Sequence, residues 1–139
     1  MSEIDRNTSS ETPAYDGRPP RERFAGPEHL FDLGAVAESL HGESSPVRDG
    51  HRQQTIFHRS HLTLVVFDFL EGGRLNAHRA MAPVTIHALS GRLEVSTETS
   101  VYQLAAGSLL ALDPGVVHDV HAVEASQMLL SVGAVTDPA

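Results

Sequence analysis

The sequence predicts an all-β protein: one barrel or sandwich domain with a short N-terminal helix and a disordered N-terminal arm. Three observations carry that prediction. Short apolar stretches recur at close intervals from about residue 53 to residue 133. Turn-forming residues stand between them: "EGG" at 71–73, "SG" at 90–91, "AAG" at 105–107 and "DPG" at 113–115. The chain has 139 residues, enough for one domain with a real core and too few for two of ordinary size.

Residues 1–28 are rich in Pro, Ser, Glu, Arg and Asp, a composition that buries too little apolar surface to offset the entropy of ordering. They read as a flexible arm, and residues 29–139 as the folded domain. In "FDLGAVAESLHGE", Leu33, Val36, Ala37 and Leu40 fall at helical spacing, with Asp32 placed to cap and Gly42 to stop the helix. This predicts a helix over 33–41, followed by a loop at "SSPVRDG". Strands are expected near 53–58, 62–70, 84–89, 92–97, 109–112, 116–122 and 127–133. "IHALSGRLEVS" is the clearest hairpin, because Gly91 supplies a turn conformation that β-branched residues resist.

Composition excludes several chemistries. There is no cysteine, hence no disulfide, no thiolate metal ligand and no cysteine nucleophile. All ten basic residues are arginine, so a Schiff base on a lysine side chain is impossible. A formal charge of −8 opposes non-specific nucleic-acid binding, which needs a basic surface. The longest apolar run, Leu62 to Leu70, suits a buried strand and is far too short to cross a bilayer. The polar N-terminus lacks the apolar core of a secretory signal, so a cytoplasmic location is expected.

Two glycine-anchored segments resemble the paired motifs of the cupins. "GGRLNAHRAMAPVTIHALSG" looks like the first, commonly G-x5-H-x-H-x3,4-E-x6-G, and "GSLLALDPGVVHDVHA" like the second, commonly G-x5-P-x-G-x2-H-x3-N. The motifs occupy 72–91 and 107–122. The glycine frame fits: five residues separate Gly72 from His78, Gly91 closes the first motif, Gly107 opens the second, and Gly115 precedes His118. The resemblance implies a double-stranded β-helix, the cupin jelly-roll barrel. It also implies an internal site that in many cupins holds a divalent metal through two histidines and a glutamate of the first motif and a histidine of the second. This chain keeps His78 and His118, but Ala80 and Val84 stand at the other two ligand positions. Asp113 takes the place of the second motif's proline, with Pro114 one residue later, and Ala122 replaces the final asparagine.

Two neutral imidazoles hold a divalent ion weakly, and the hydrocarbon of Ala80 and Val84 makes its desolvation hard to offset. The expectation is therefore a pocket with His78 and His118 as its polar couple and Ala80, Val84, Ile86 and Val120 as its apolar lining. Period-two alternation sends His87 to the outer face of the strand that carries Val84 and Ile86, and His121 and Asp119 away from His118. Arg79 and Arg92 should point outward, toward such partners as Glu94 or Glu98. Asp68 reads as a residue at the rim of its strand. His58 and His61 flank a turn, and His29, His41 and His51 receive no role.

Three functions compete on these residues. The first is a small-molecule-binding cupin, without a metal cofactor and without established catalysis. The second is a divalent-metal-dependent oxygenase or isomerase, with His78 and His118 joined by a further ligand such as His58 or Asp68. The third is a metal-free acid–base enzyme using the histidine pair, since imidazole titrates near neutral pH. The resemblance also implies a homodimer, in which a second copy covers exposed sheet edges.

Overall fold

A computed structural model describes residues 26–43 and 47–135. The described residues fall into two compact units, one ending at residue 43 and the other beginning after it. The expected arm lies outside the described residues except for its last three, as do the first three residues of the "SSPVRDG" loop.

The first unit holds helix α1, Leu33–His41, at its predicted bounds. The Asp32 side chain accepts a hydrogen bond from the Ala35 N–H at 3.1 Å, which satisfies one of the donors a helix start leaves bare. Gly42 ends it, its N–H donating to Glu38 O. Val36, Ala37 and Leu40 form the buried stripe that the spacing predicts.

The described residues of the second unit form nine strands: β1 His51–His58, β2 Leu62–Phe69, β3 Arg74–His78, β4 Val84–Ser90, β5 Arg92–Thr97, β6 Val101–Ala105, β7 Leu109–Leu112, β8 His118–Ala122 and β9 Ser126–Gly133. They make two antiparallel sheets, one ordered β1-β2-β9-β4-β7 and the other β3-β8-β5-β6. Alternation decides which side chains enter the space between the sheets. Val84, Ile86 and Ala88 from β4 meet Leu93 and Val95 from β5, Val120 and Ala122 from β8, and Met128 from β9 in one buried cluster. Phe67 and Phe69 close it from β2, stacked at 5.7 Å. Each aliphatic side chain fully buried there contributes about 1.5–3 kcal/mol. The hairpin expected at "IHALSGRLEVS" does not form: β4 pairs with β7 and β9, β5 pairs with β6 and β8, and Gly91, whose φ of 77° is left-handed, turns the chain from one sheet into the other. A Cβ at Gly91 would collide with Ala125 O and Ser126, so the turn needs glycine for room as well as for conformation.

Two strands and two strand starts differ from expectation, β8 starting at His118 rather than 116. β3 and β6 are the edges of the four-stranded sheet, and each buries little: Leu75 alone of β3 is partly covered, and Leu104 alone of β6 is buried. Without an apolar alternation there is no pattern to read, and backbone pairing with β8 and β5 makes the strand. β1 starts at His51 rather than 53, because Arg48 and His51 exchange backbone hydrogen bonds around an Asp49-Gly50 turn with positive φ at both central residues. That dipeptide is a hairpin signal, and it stands in the stretch expected to be loop.

Candidate functional site

His78 and His118 come together. They are direct cross-strand partners on β3 and β8, with ring centroids 4.2 Å apart in an edge-to-face arrangement. Each ring is fixed by the carbonyl two residues before it. His78 Nδ1 lies 3.0 Å from Asn76 O, and His118 Nδ1 lies 3.1 Å from Val116 O. A carbonyl only accepts, so both Nδ1 atoms carry the hydrogen and both Nε2 atoms keep a lone pair.

The two rings differ in exposure. His78 is exposed, whereas His118 is 2% exposed. His118 Nε2 is buried without a hydrogen-bond partner, the one such side-chain atom among the described residues. Its surroundings explain its titration. Burial pushes the His118 pKa below its ordinary value, and the nearby His78 acts in the same direction. The Val116 carbonyl and Asp119 oppose that shift without overcoming it. His118 is therefore a neutral imidazole at neutral pH, with the unpartnered Nε2 as its acceptor.

The other anticipated residues fall into two groups. Val84, Ile86 and Val120 belong to the packed cluster and are almost fully buried. Ala80 is partly buried against that cluster, as is Val116. The β3–β4 loop is tied to the turn before β8 by a hydrogen bond from Gly115 N to Ala80 O at 2.8 Å, which holds the two motifs together beside the histidine pair.

The supplementary ligands do not join the pair. His58 is exposed at the end of β1, with Nδ1 2.9 Å from Thr63 Oγ1. Asp68 is buried rather than at a rim. It lies on the face of β2 opposite Phe67 and Phe69, and accepts from Gln127 Nε2 at 3.2 Å. His87 alternates with the buried Ile86 and Ala88 and so takes the other face of β4. On the outer face of the four-stranded sheet, Glu94 accepts from Gln103 Nε2 at 2.7 Å and lies 4.0 Å from His121 Nδ1.

His51 is the residue that sequence reasoning passed over. It is 9% exposed and packs 5.4 Å from both Phe67 and Phe69. Its Nδ1 lies 3.1 Å from Arg74 O, and its Nε2 lies 3.2 Å from Gln53 Oε1. The Asp-Gly turn before it is the signal that would have put it on a strand.

The donor set does not fit the divalent metal that the motifs imply. Two of the four ligand positions are hydrocarbon, and no group of three His, Cys, Asp or Glu among the described residues is placed to hold an ion.

Comparison with known proteins gives the fold. The chain is similar to a conserved protein of unknown function from Streptococcus pyogenes, at 29% identity and a TM-score of 0.60, over 65% of this chain and 79% of that one. It is similar to an RmlC-like cupin from Shewanella frigidimarina, at 16% identity and a TM-score of 0.60, over 66% of this chain and 83% of that one. A cupin superfamily protein from Desulfitobacterium hafniense superposes with a TM-score of 0.63 at 10% identity, over 78% of this chain and 93% of that one. No family model and no curated protein matches the sequence. The chain thus has the cupin-type jelly-roll fold, two antiparallel sheets enclosing one core. Among the described residues no helix is long and apolar enough to cross a membrane.

Proposed function

We propose that this chain is a small-molecule-binding cupin domain whose ligand donates hydrogen bonds to the His78–His118 couple. The observation that carries the reading is the buried, unpartnered Nε2 of His118. An acceptor left bare in this way costs about 1–3 kcal/mol, which a ligand O–H or N–H offsets on binding. The Nε2 of His78 is a second acceptor beside it. The ligand class is therefore a compact, uncharged molecule bearing hydroxyl or N–H donors. Ala80 offers it apolar contact at the site, and Val84, Ile86 and Val120 form the packed wall behind.

Ligand-observed NMR with a panel of hydroxylated and matched non-hydroxylated compounds tests the reading. Hydroxylated compounds are expected to bind the wild-type protein and to lose binding in His118→Ala. Binding that is indifferent to the hydroxyl group or to His118 would overturn it.

The second reading is a divalent-metal enzyme of the oxygenase or isomerase type. The observation favouring it is the pair of free imidazole lone pairs on adjacent strands. Elemental analysis of protein purified without chelators separates the two. Stoichiometric metal that disappears in His78→Ala and in His118→Ala supports the enzyme and contradicts the binding module. We further propose a cytoplasmic homodimer, motivated by the free edges at β1, β7, β3 and β6. Light scattering decides between a dimer and the 15.0 kDa monomer.

A further inference from the structure

Pairing between β3 and β8 is irregular at one place. Leu75 is opposite Val120 and His78 is opposite His118, so Asn76 and Ala77 together face Asp119 alone. Two residues against one is a β-bulge. Leu75 packs on the core, and strict alternation from it would set Ala77 opposite His118. The extra residue restores His78 to that position.

The bulge has a second effect. In a regular strand the carbonyls lie along the ladder and the side chains stand perpendicular to it, so a ring does not meet the carbonyl two residues earlier. His78 meets such a carbonyl, that of Asn76, inside the bulge. His118 meets the carbonyl of Val116, which lies in the loop just before β8 begins. Two unrelated departures from regular backbone thus deliver the same ring state on facing strands.

We propose that the Asn76–Ala77 bulge is the positioning element of this site, fixing His78 as the Nδ1–H tautomer so that its Nε2 remains an acceptor. The inference rests on the reading of His78 and His118 as a ligand couple. It concerns the backbone of β3, and the Asn76 side chain has no part in it. Deleting Ala77 gives a regular ladder in which Asn76 faces Asp119 and His78 still faces His118. The carbonyl two residues back then belongs to Leu75 and is directed along the ladder. Facing is retained and the tautomer lock is lost.

Long-range ¹H–¹⁵N correlation of the histidine rings in the full chain, above pH 7 and without ligand, tests this. In the wild type both His78 and His118 are expected with Nε2 at the unprotonated position. In the Ala77 deletion His118 is unchanged and the Nδ1–H form of His78 is lost as the majority species. Asn76→Ala keeps the wild-type spectrum, because the carbonyl remains. A wild-type His78 protonated at Nε2 would overturn the proposal whether or not the deletion variant folds. So would a deletion variant whose His78 keeps the Nδ1–H form, or an Asn76→Ala variant that loses it. Because no ligand is present, these outcomes leave the binding reading to its own test.

Discussion

His51 and His118 are both buried in the barrel unit, yet their ring nitrogens are served in opposite ways. His51 has an oxygen beside each nitrogen, Arg74 O and Gln53 Oε1, of which a neutral ring donates to one, and it lies against the stacked pair Phe67 and Phe69. His118 uses Nδ1 on Val116 O and leaves Nε2 bare beside the exposed ring of His78. A buried imidazole held by a carbonyl and packed between two rings is a packing unit with fixed geometry. An unsatisfied one is a standing cost, tolerated where a ligand removes it. On the proposed reading, one region of the barrel serves stability and the other serves a ligand.

That contrast is open to direct attack. The largest effect is expected at the ring against which His51 packs. Phe69→Ala opens a cavity in a fully buried position and should lower unfolding stability by about 3–5 kcal/mol, read from urea unfolding. Next comes His51→Leu, which keeps apolar packing but leaves Arg74 O and Gln53 without the imidazole, at a cost of about 1–3 kcal/mol. A loss no larger than experimental error would show that these polar contacts add nothing.

Acid should separate the two histidines further. The folded pKa of His118 is lowered by burial, so between that value and about 6.5 the unfolded chain binds a proton that the folded chain does not. Above about 6.5 His118 is neutral in both states and adds no pH dependence. Stability is expected to fall as pH drops from there through the lowered folded pKa. Unfolding curves across that range should show a shallower acid loss in His118→Leu than in wild type. Equal slopes would mean that the buried ring does not resist protonation.

Legibility from sequence followed the same division. Strands with one buried face, β4, β5 and β8, were readable because Val84, Ile86, Leu93, Val95 and Val120 alternate cleanly. The edges β3 and β6 were not, since an exposed edge strand carries its information in backbone pairing rather than in side-chain pattern. The His78–His118 pair was reachable only through the motif resemblance. Plain alternation from Leu75 puts Ala77 on the inner face, and the bulge that corrects it leaves no mark in composition. His51 was missed because Arg74 O, Phe67 and Phe69, which hold its ring, are all distant in sequence, and Gln53 alone is local.

The smallest effect is the most telling. His118→Leu removes the bare acceptor along with the single hydrogen bond to Val116 O, so the unfolding free energy should stay level or rise by up to about 1 kcal/mol. Measured by urea unfolding above pH 7 beside His51→Leu, it tests directly whether one buried histidine is structural and the other kept for a ligand. The account predicts a clear loss for His51→Leu and none for His118→Leu. A loss at His118 as large as that at His51 would contradict it.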